Sequence, residues 1–189
     1  MPARREKHAA RKLDLPAFLW GLAEATFFFI VPDVWITFRA LHGIKRGLNA
    51  ALFAAAGALP GGALMYWLGT VRPEAVRMWL DAVPAVSAAM IENVGEQLAR
   101  LGLWGLFLGP LSGTPYKIYA ALAPQAGFSL PVLLAVSLPA RLLRFVLLAG
   151  VSAAAGRWLK QHFGFRAALW TWALLWSAFY VLWFSLMPG

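Results

Sequence analysis

The chain of 189 residues is 61% hydrophobic and 13% charged, with a mean hydropathy of +0.65. That balance excludes a soluble globular domain, which could not cover so much apolar surface. The formal charge of +9 does not argue for nucleic acid, because the cations edge apolar segments, where they serve topology and anionic lipid headgroups. Cysteine is absent, which removes disulfides, a thiol nucleophile and cysteine metal sites.

Residues 1–16 read as a basic cytoplasmic tail, with five of the seventeen cations inside "ARREKHAARK". It leads into a long apolar segment without a small-residue cleavage site, so no cleaved leader is expected. Apolar stretches follow at 17–38, 48–71, 103–124, 129–154 and 165–187, each near the twenty or so residues that cross a hydrocarbon core. Five full crossings would put the basic loop "RALHGIKRG" (39–47) opposite the basic tail, against the positive-inside rule.

The charges balance if 17–38 enters the membrane, turns at Pro32 and leaves on the same side. Segment 48–71 then crosses outward. Linker 72–102 sets Arg72, Arg77 and Arg100 against Glu74, Asp81, Glu92 and Glu96, as suits the outer side. Within it, Val86, Met90, Val94 and Leu98 recur at helical spacing, predicting an amphipathic helix on the outer interface. Segment 103–124 is expected to turn back at Pro115 and Tyr116, and 129–154 to return to the cytoplasm. The last segment, 165–187, crosses once more.

The expected fold is therefore an all-α polytopic integral membrane protein with two re-entrant helical hairpins and about three crossing helices. Its parts are the tail 1–16, a membrane domain 17–155 and a C-terminal transmembrane helix within 156–189. The membrane domain comprises repeat one (17–71), the linker 72–102 and repeat two (103–155). "WGLAEATFFFIVPDVWITFRAL" (20–41) parallels "WGLFLGPLSGTPYKIYAAL" (104–122), and "LPGGALMYWL" (59–68) parallels "LPARLLRFVL" (138–147). One crossing per unit inverts the second against the first, an architecture that places a transporter's binding site between its repeats.

Five ionisable residues fall inside these segments: Glu24, Asp33, Lys117, Arg141 and Arg144. Each costs roughly 2.5–3.5 kcal/mol at the centre of an isolated helix, so five call for a purpose. Irregular backbone at membrane depth must be buried or line a wet cavity, and Lys117 is expected to face one. Glu24, beside three phenylalanines, is suited to carry a proton, because apolar surroundings favour the neutral acid; the alternative is a structural pair with an arginine. Asp33 either caps the outgoing half-helix or joins in proton or substrate handling. Lys117, near a half-helix start, would form an anion site with the positive helix end, or else snorkel to the interface. Arg141 and Arg144, three apart, share a helix face and could hold phosphate bidentately or clamp the two acids.

His8, His42 and His162 lie apart and outside the apolar segments, supporting neither a metal site nor a histidine hydrolase. Neither a phosphate loop nor a dinucleotide fingerprint is present. "AAAGALPGGA" (54–63) and "AGVSAAAG" (149–156) read as small-residue packing faces. Trp20, Trp35, Trp104 and Trp158 suit interfacial belts, and the tryptophans of "LWTWALLW" (169–176) are expected to face lipid.

"EATFFFIVPDV" starting at Glu24, "GTPYKIYAALAPQAG" (113–127) and "RLLRF" (141–145) together resemble the DedA superfamily, also called the VTT or SNARE-associated domain. Within it the short YqaA-like branch is most similar, and the likeness spans 17–155. The resemblance implies paired re-entrant hairpins, inverted repeats and lipid translocation: of undecaprenyl phosphate in some members, phosphatidylethanolamine in others, and phospholipid scrambling in eukaryotic relatives. It matches Glu24 and Asp33 to acidic residues linked to proton dependence, and puts Arg141 and Arg144 near the family's basic membrane residues. The chain departs at the second hairpin, where Gly109-Pro110 and Lys117 stand in place of arginine motifs.

These readings converge on a multi-pass transporter or flippase of the cell inner (plasma) membrane, N-terminus cytoplasmic. It would move a lipid-linked anion, undecaprenyl phosphate or a phospholipid, between leaflets with proton coupling. The cations would hold phosphate, and protonation of the acids would free them. No enzyme activity, cofactor, metal or nucleic-acid partner is expected; the expected partners are phosphate-bearing lipids and protons, with a homo-oligomer left open. The rivals are an ion or small-solute transporter or channel, and a noncatalytic membrane scaffold.

Overall fold

The computed structural model describes residues 3–84 and 86–186, with side chains described from Asp14 onward, so the cations of the basic tail lie outside the described side chains. The described residues are all-helical: α1 (Ala3–Glu24), α2 (Asp33–Leu41), α3 (Ile44–Val71), α4 (Pro73–Asp81), α5 (Ala88–Leu101), α6 (Leu103–Leu108), α7 (Tyr116–Leu122) and α8 (Leu130–Leu186). A 3-10 turn, Gly109–Leu111, joins α6 to the approach to α7.

Two helices, α3 and α8, are long and apolar enough to cross a membrane. The backbone of α8 runs helically through residue 155 and breaks at Gly164, whose φ of 82° is left-handed and suits glycine. The expected segments 129–154 and 165–187 are thus two parts of one element with the corner at Gly164. The second part, residues 165–186, is itself about 33 Å long at 1.5 Å per residue. By contrast α2 and α7, of nine and seven residues, reach only about 10–14 Å, well short of a hydrocarbon core.

Both apolar segments expected to turn are interrupted. Residues 25–32 separate α1 from α2, where a run of bulky side chains meets Pro32, and proline disfavours helix in the residue before it. Residues 109–115 separate α6 from α7, with Pro110, Pro115 and Gly113 at φ 96°. Asp33 does not cap α2: the N-cap position is Pro32, without a side-chain cap, and the Asp33 carboxylate is engaged elsewhere.

Helix α1 lies against α3 at backbone distance. A Cβ on Gly21 would overlap the Ala54 carbonyl oxygen, and one on Gly57 would overlap that of Phe18. Ala54 and Gly57 therefore pack α1, while Gly62 meets the Tyr116 side chain of α7, so the small residues of 54–63 do serve close packing. Further along α3, Gly69 meets the Ala121 carbonyl of α7, and the Gln125 amide donates to the Gly69 carbonyl at 2.6 Å.

Two apolar clusters result. One joins α1, α2 and the first half of α3 to Phe145, Ala149 and Ala153 of α8; the other joins the second half of α3 to α4–α7 and Leu133. The stripe Val86, Val94 and Leu98, with Ile91, is buried in the second cluster, and Met90 packs against it. The amphipathic face of α5 is thus covered by protein, while Glu92, Glu96 and Arg100 are exposed. Ser87 caps α5, accepting the Met90 amide at 3.3 Å.

Candidate functional site

Between the two clusters the backbone breaks and α8 surround a cavity of about 910 Å³. Glu24 reaches it from the end of α1, Asp33 from the start of α2, Lys117 from the start of α7, and Arg141 and Arg144 from the first part of α8. All five charged residues picked out within the apolar segments of the sequence line this one space.

They are ordered into specific contacts. Arg141 donates to Glu24 at 2.5 Å, and Arg144 to Asp33 at 2.6 Å. Both arginines project to one side because they lie three apart on α8, and they meet acids from either side of the first break. A second Arg144 nitrogen donates to the Pro110 carbonyl at 2.9 Å, so this residue ties both breaks to α8. Lys117 donates to the Phe28 carbonyl at 2.7 Å, joining α7 to the first break directly. It is almost wholly buried, which corrects the snorkelling alternative, and its partner is a neutral carbonyl instead of an acid.

Tyr116 and Phe145 flank the Arg141 guanidinium at 4.8 and 5.2 Å from their ring centres, positions for cation–π attraction. The Tyr116 hydroxyl is within 3.1 Å of that of Ser137. Pro32 and Pro115 sit at the N-cap positions of α2 and α7, so the residues read as turn tips do mark the helix restarts. Two buried polar atoms of the set lack partners: the second carboxylate oxygen of Asp33 and Nε of Arg141. Orphaned polar atoms in an otherwise paired cluster are uncommon.

The C-terminal part of α8 closes one side of the cavity. Trp172 and Trp176 each donate to the Thr37 hydroxyl at 3.0 Å, and Thr37 donates to the Asp33 carbonyl at 2.7 Å. That hydroxyl thereby uses its donor and both acceptor sites. The Tyr180 hydroxyl accepts from the Val31 amide at 3.0 Å. The expectation that the tryptophans of 169–176 face lipid is therefore corrected for Trp172 and Trp176, which line the cavity, whereas Trp170 is exposed. Of the tryptophans expected in interfacial belts, Trp104 and Trp158 are exposed, and Trp20 and Trp35 are half-buried and stacked on each other.

Sequence reasoning missed a third ion pair, Arg39 to Asp14 at 3.0 Å, which is buried and ties the middle of α1 to the last turn of α2. Its signal was available: a chain that reverses near residues 25–32 brings 14 and 39 to similar depth. Lys160 adds a bond to the Leu41 carbonyl at 2.7 Å. No group of three His, Asp or Glu gathers as a metal site would need among the described residues. Set against known protein families, curated proteins and solved structures, the chain finds no match in any of the three.

Proposed function

We propose that this chain is a polytopic membrane transporter that moves a lipid-linked anion between leaflets, with protons as the coupling ion. The observation that carries the reading is the meeting of all five intramembrane charges in one cavity as two ion pairs and a lysine. Their net charge is +1, so the site keeps a cation for an anionic headgroup even when both acids are paired. Protonation of Glu24 or Asp33 would release Arg141 or Arg144 to bind phosphate through its planar fork. Loss of the anion would let the acid give up its proton and the pair close again. Kinship with the DedA superfamily belongs to the same proposal.

The matching topology is two re-entrant hairpins in inverted repeats. The shortness of α2 and α7 supports it, as does the repeated order of broken segment, short helix and long helix containing Pro60 or Pro139. Because the chain lacks cysteine, single cysteines report sidedness cleanly. Cysteines at His8 and Lys45 are expected to react with a membrane-impermeant maleimide from the same side; labelling from opposite sides would remove the first hairpin.

Transport itself is tested in proteoliposomes with a fluorescent lipid phosphate. The wild-type protein is expected to move it between leaflets. Glu24→Ala and Arg144→Ala are each expected to slow movement at least about tenfold, because a hydrogen bond to a charged group contributes roughly 1.5–3 kcal/mol. Movement at the wild-type rate in both variants would exclude this mechanism. Uptake of a water-soluble anion without lipid movement would favour the solute-transporter rival.

A further inference from the structure

The cavity is tight at one end and open at the other. Asp33 and Lys117 are each only 1% exposed, yet Leu143, Leu147, Leu175 and Phe179, which line the same space, are 45, 58, 66 and 44% exposed. Two of these apolar residues come from each part of α8, which separate at Gly164. They continue onto outward-facing surface: Val151 lies one turn beyond Leu147 and Leu182 two turns beyond Leu175, both exposed. Leu143 lies between the two arginines and Leu147 three residues beyond Arg144, so apolar lining directly adjoins charged lining along α8.

We infer that the gap between the two parts of α8 is a lateral slot that holds the hydrocarbon chain of an amphiphile whose anionic head rests against Arg141, Arg144 and Lys117. This inference deepens the proposed transport of a lipid-linked anion and rests on it for the nature of the head. The ligand chemistry follows from the shape: a phosphate-type anion meets cations at the closed end, and a flexible apolar chain meets leucine and phenylalanine at the open side. The unpartnered Arg141 Nε gives the head a donor that no protein group uses. A free anion would satisfy the cations but leave the apolar slot unfilled, so the occupant is a lipid phosphate. Leu147 and Phe179 are then residues that set specificity for the chain.

The test is photocrosslinking in proteoliposomes with a lipid phosphate carrying a diazirine in its chain, the labelled residues being located by mass spectrometry. A neutral diacylglycerol with the same chain serves as reference. The phosphate probe is expected to label Leu143, Leu147, Leu175 and Phe179 in preference to Val181 and Leu182, and the neutral probe to label all six alike. In Arg144→Ala the slot labelling by the phosphate probe should fall at least about tenfold, as loss of a charged contact implies. Because that change leaves Asp33 without its cation, Leu147→Trp supplies a second variant. It alters an exposed position, and labelling at Phe179 should be lost as the indole fills the slot. Equal labelling of slot and outer surface by both probes, or Phe179 labelling unchanged by Leu147→Trp, would overturn the slot. Preferential slot labelling without lipid movement would instead retain the slot and remove the transport reading.

Discussion

Replacing Glu24 and Arg141 together by methionine is expected to give a protein that folds as well as the wild type and moves no lipid. Replacing Glu24 alone by alanine is expected to cost about 3–5 kcal/mol of stability, because it strands a buried guanidinium. Both side chains of this pair are less than one-tenth exposed, so little water is available to take over from the lost partner. The double replacement removes both charges and fills their volume with flexible apolar chains. Such exchanges of a buried pair are often neutral or even stabilising. Thermal unfolding in detergent, followed by tryptophan fluorescence, measures the first effect, and the proteoliposome assay the second. A double variant that still moves lipid at the wild-type rate would reduce the pair to a clamp between α1 and α8. The scaffold rival predicts no lipid movement by the wild type, and retained function when the charges are swapped by Glu24→Arg with Arg141→Glu. The pair of Arg144 and Asp33 should be less demanding on stability, because the Arg144 side chain is 27% exposed within the cavity.

The five charges of the cavity were legible because charge stands out against an apolar background, and the broken segments because prolines and glycines punctuate them. The pairing was not. Arg141 and Glu24 are separated by 117 positions, and Arg144 and Asp33 by 111, so either arginine could have met either acid on sequence grounds. Lys117 illustrates a harder limit: its partner is the Phe28 backbone carbonyl, and no side chain marks that acceptor in the sequence. The inward turn of Trp172 and Trp176 was hidden for another reason. A helix that is apolar all round has no polar face to fix its rotation, and the Thr37 hydroxyl, reached across 135 and 139 positions, decides it together with the Val31 amide bonded to Tyr180. The stripe of α5 was read correctly as a stripe, but periodicity cannot distinguish a membrane surface from a protein groove as its cover. Asp14 was overlooked because it follows a cluster of cations that dominated the reading of the tail.

The position of Glu24 depends on a contact that carries no charge, and Gly57→Leu is expected to destroy it. Gly57 of α3 faces the Phe18 carbonyl, and three positions earlier Ala54 presents its own carbonyl to Gly21 of α1. Each helix thus offers a bare glycine to the other's backbone, so the axes approach closely and neither can yield by rotating a side chain. Leucine at 57 would force the helices apart at a cost near the upper end of overpacking, about 3 kcal/mol or more. Because Gly21 lies one turn before Glu24, the displacement would carry the acid away from Arg141 and open a pair that the substitution does not touch. The expected result is loss of monodisperse protein in detergent or, where a folded fraction survives, loss of lipid movement in that fraction. Gly150→Ala is the matched control: a Cβ there meets nothing within 4 Å, and exchanging glycine for alanine inside a helix should stabilise by about 0.5–1 kcal/mol. Equal stability and equal transport in Gly57→Leu and Gly150→Ala would mean that the α1–α3 seam does not set the height of Glu24.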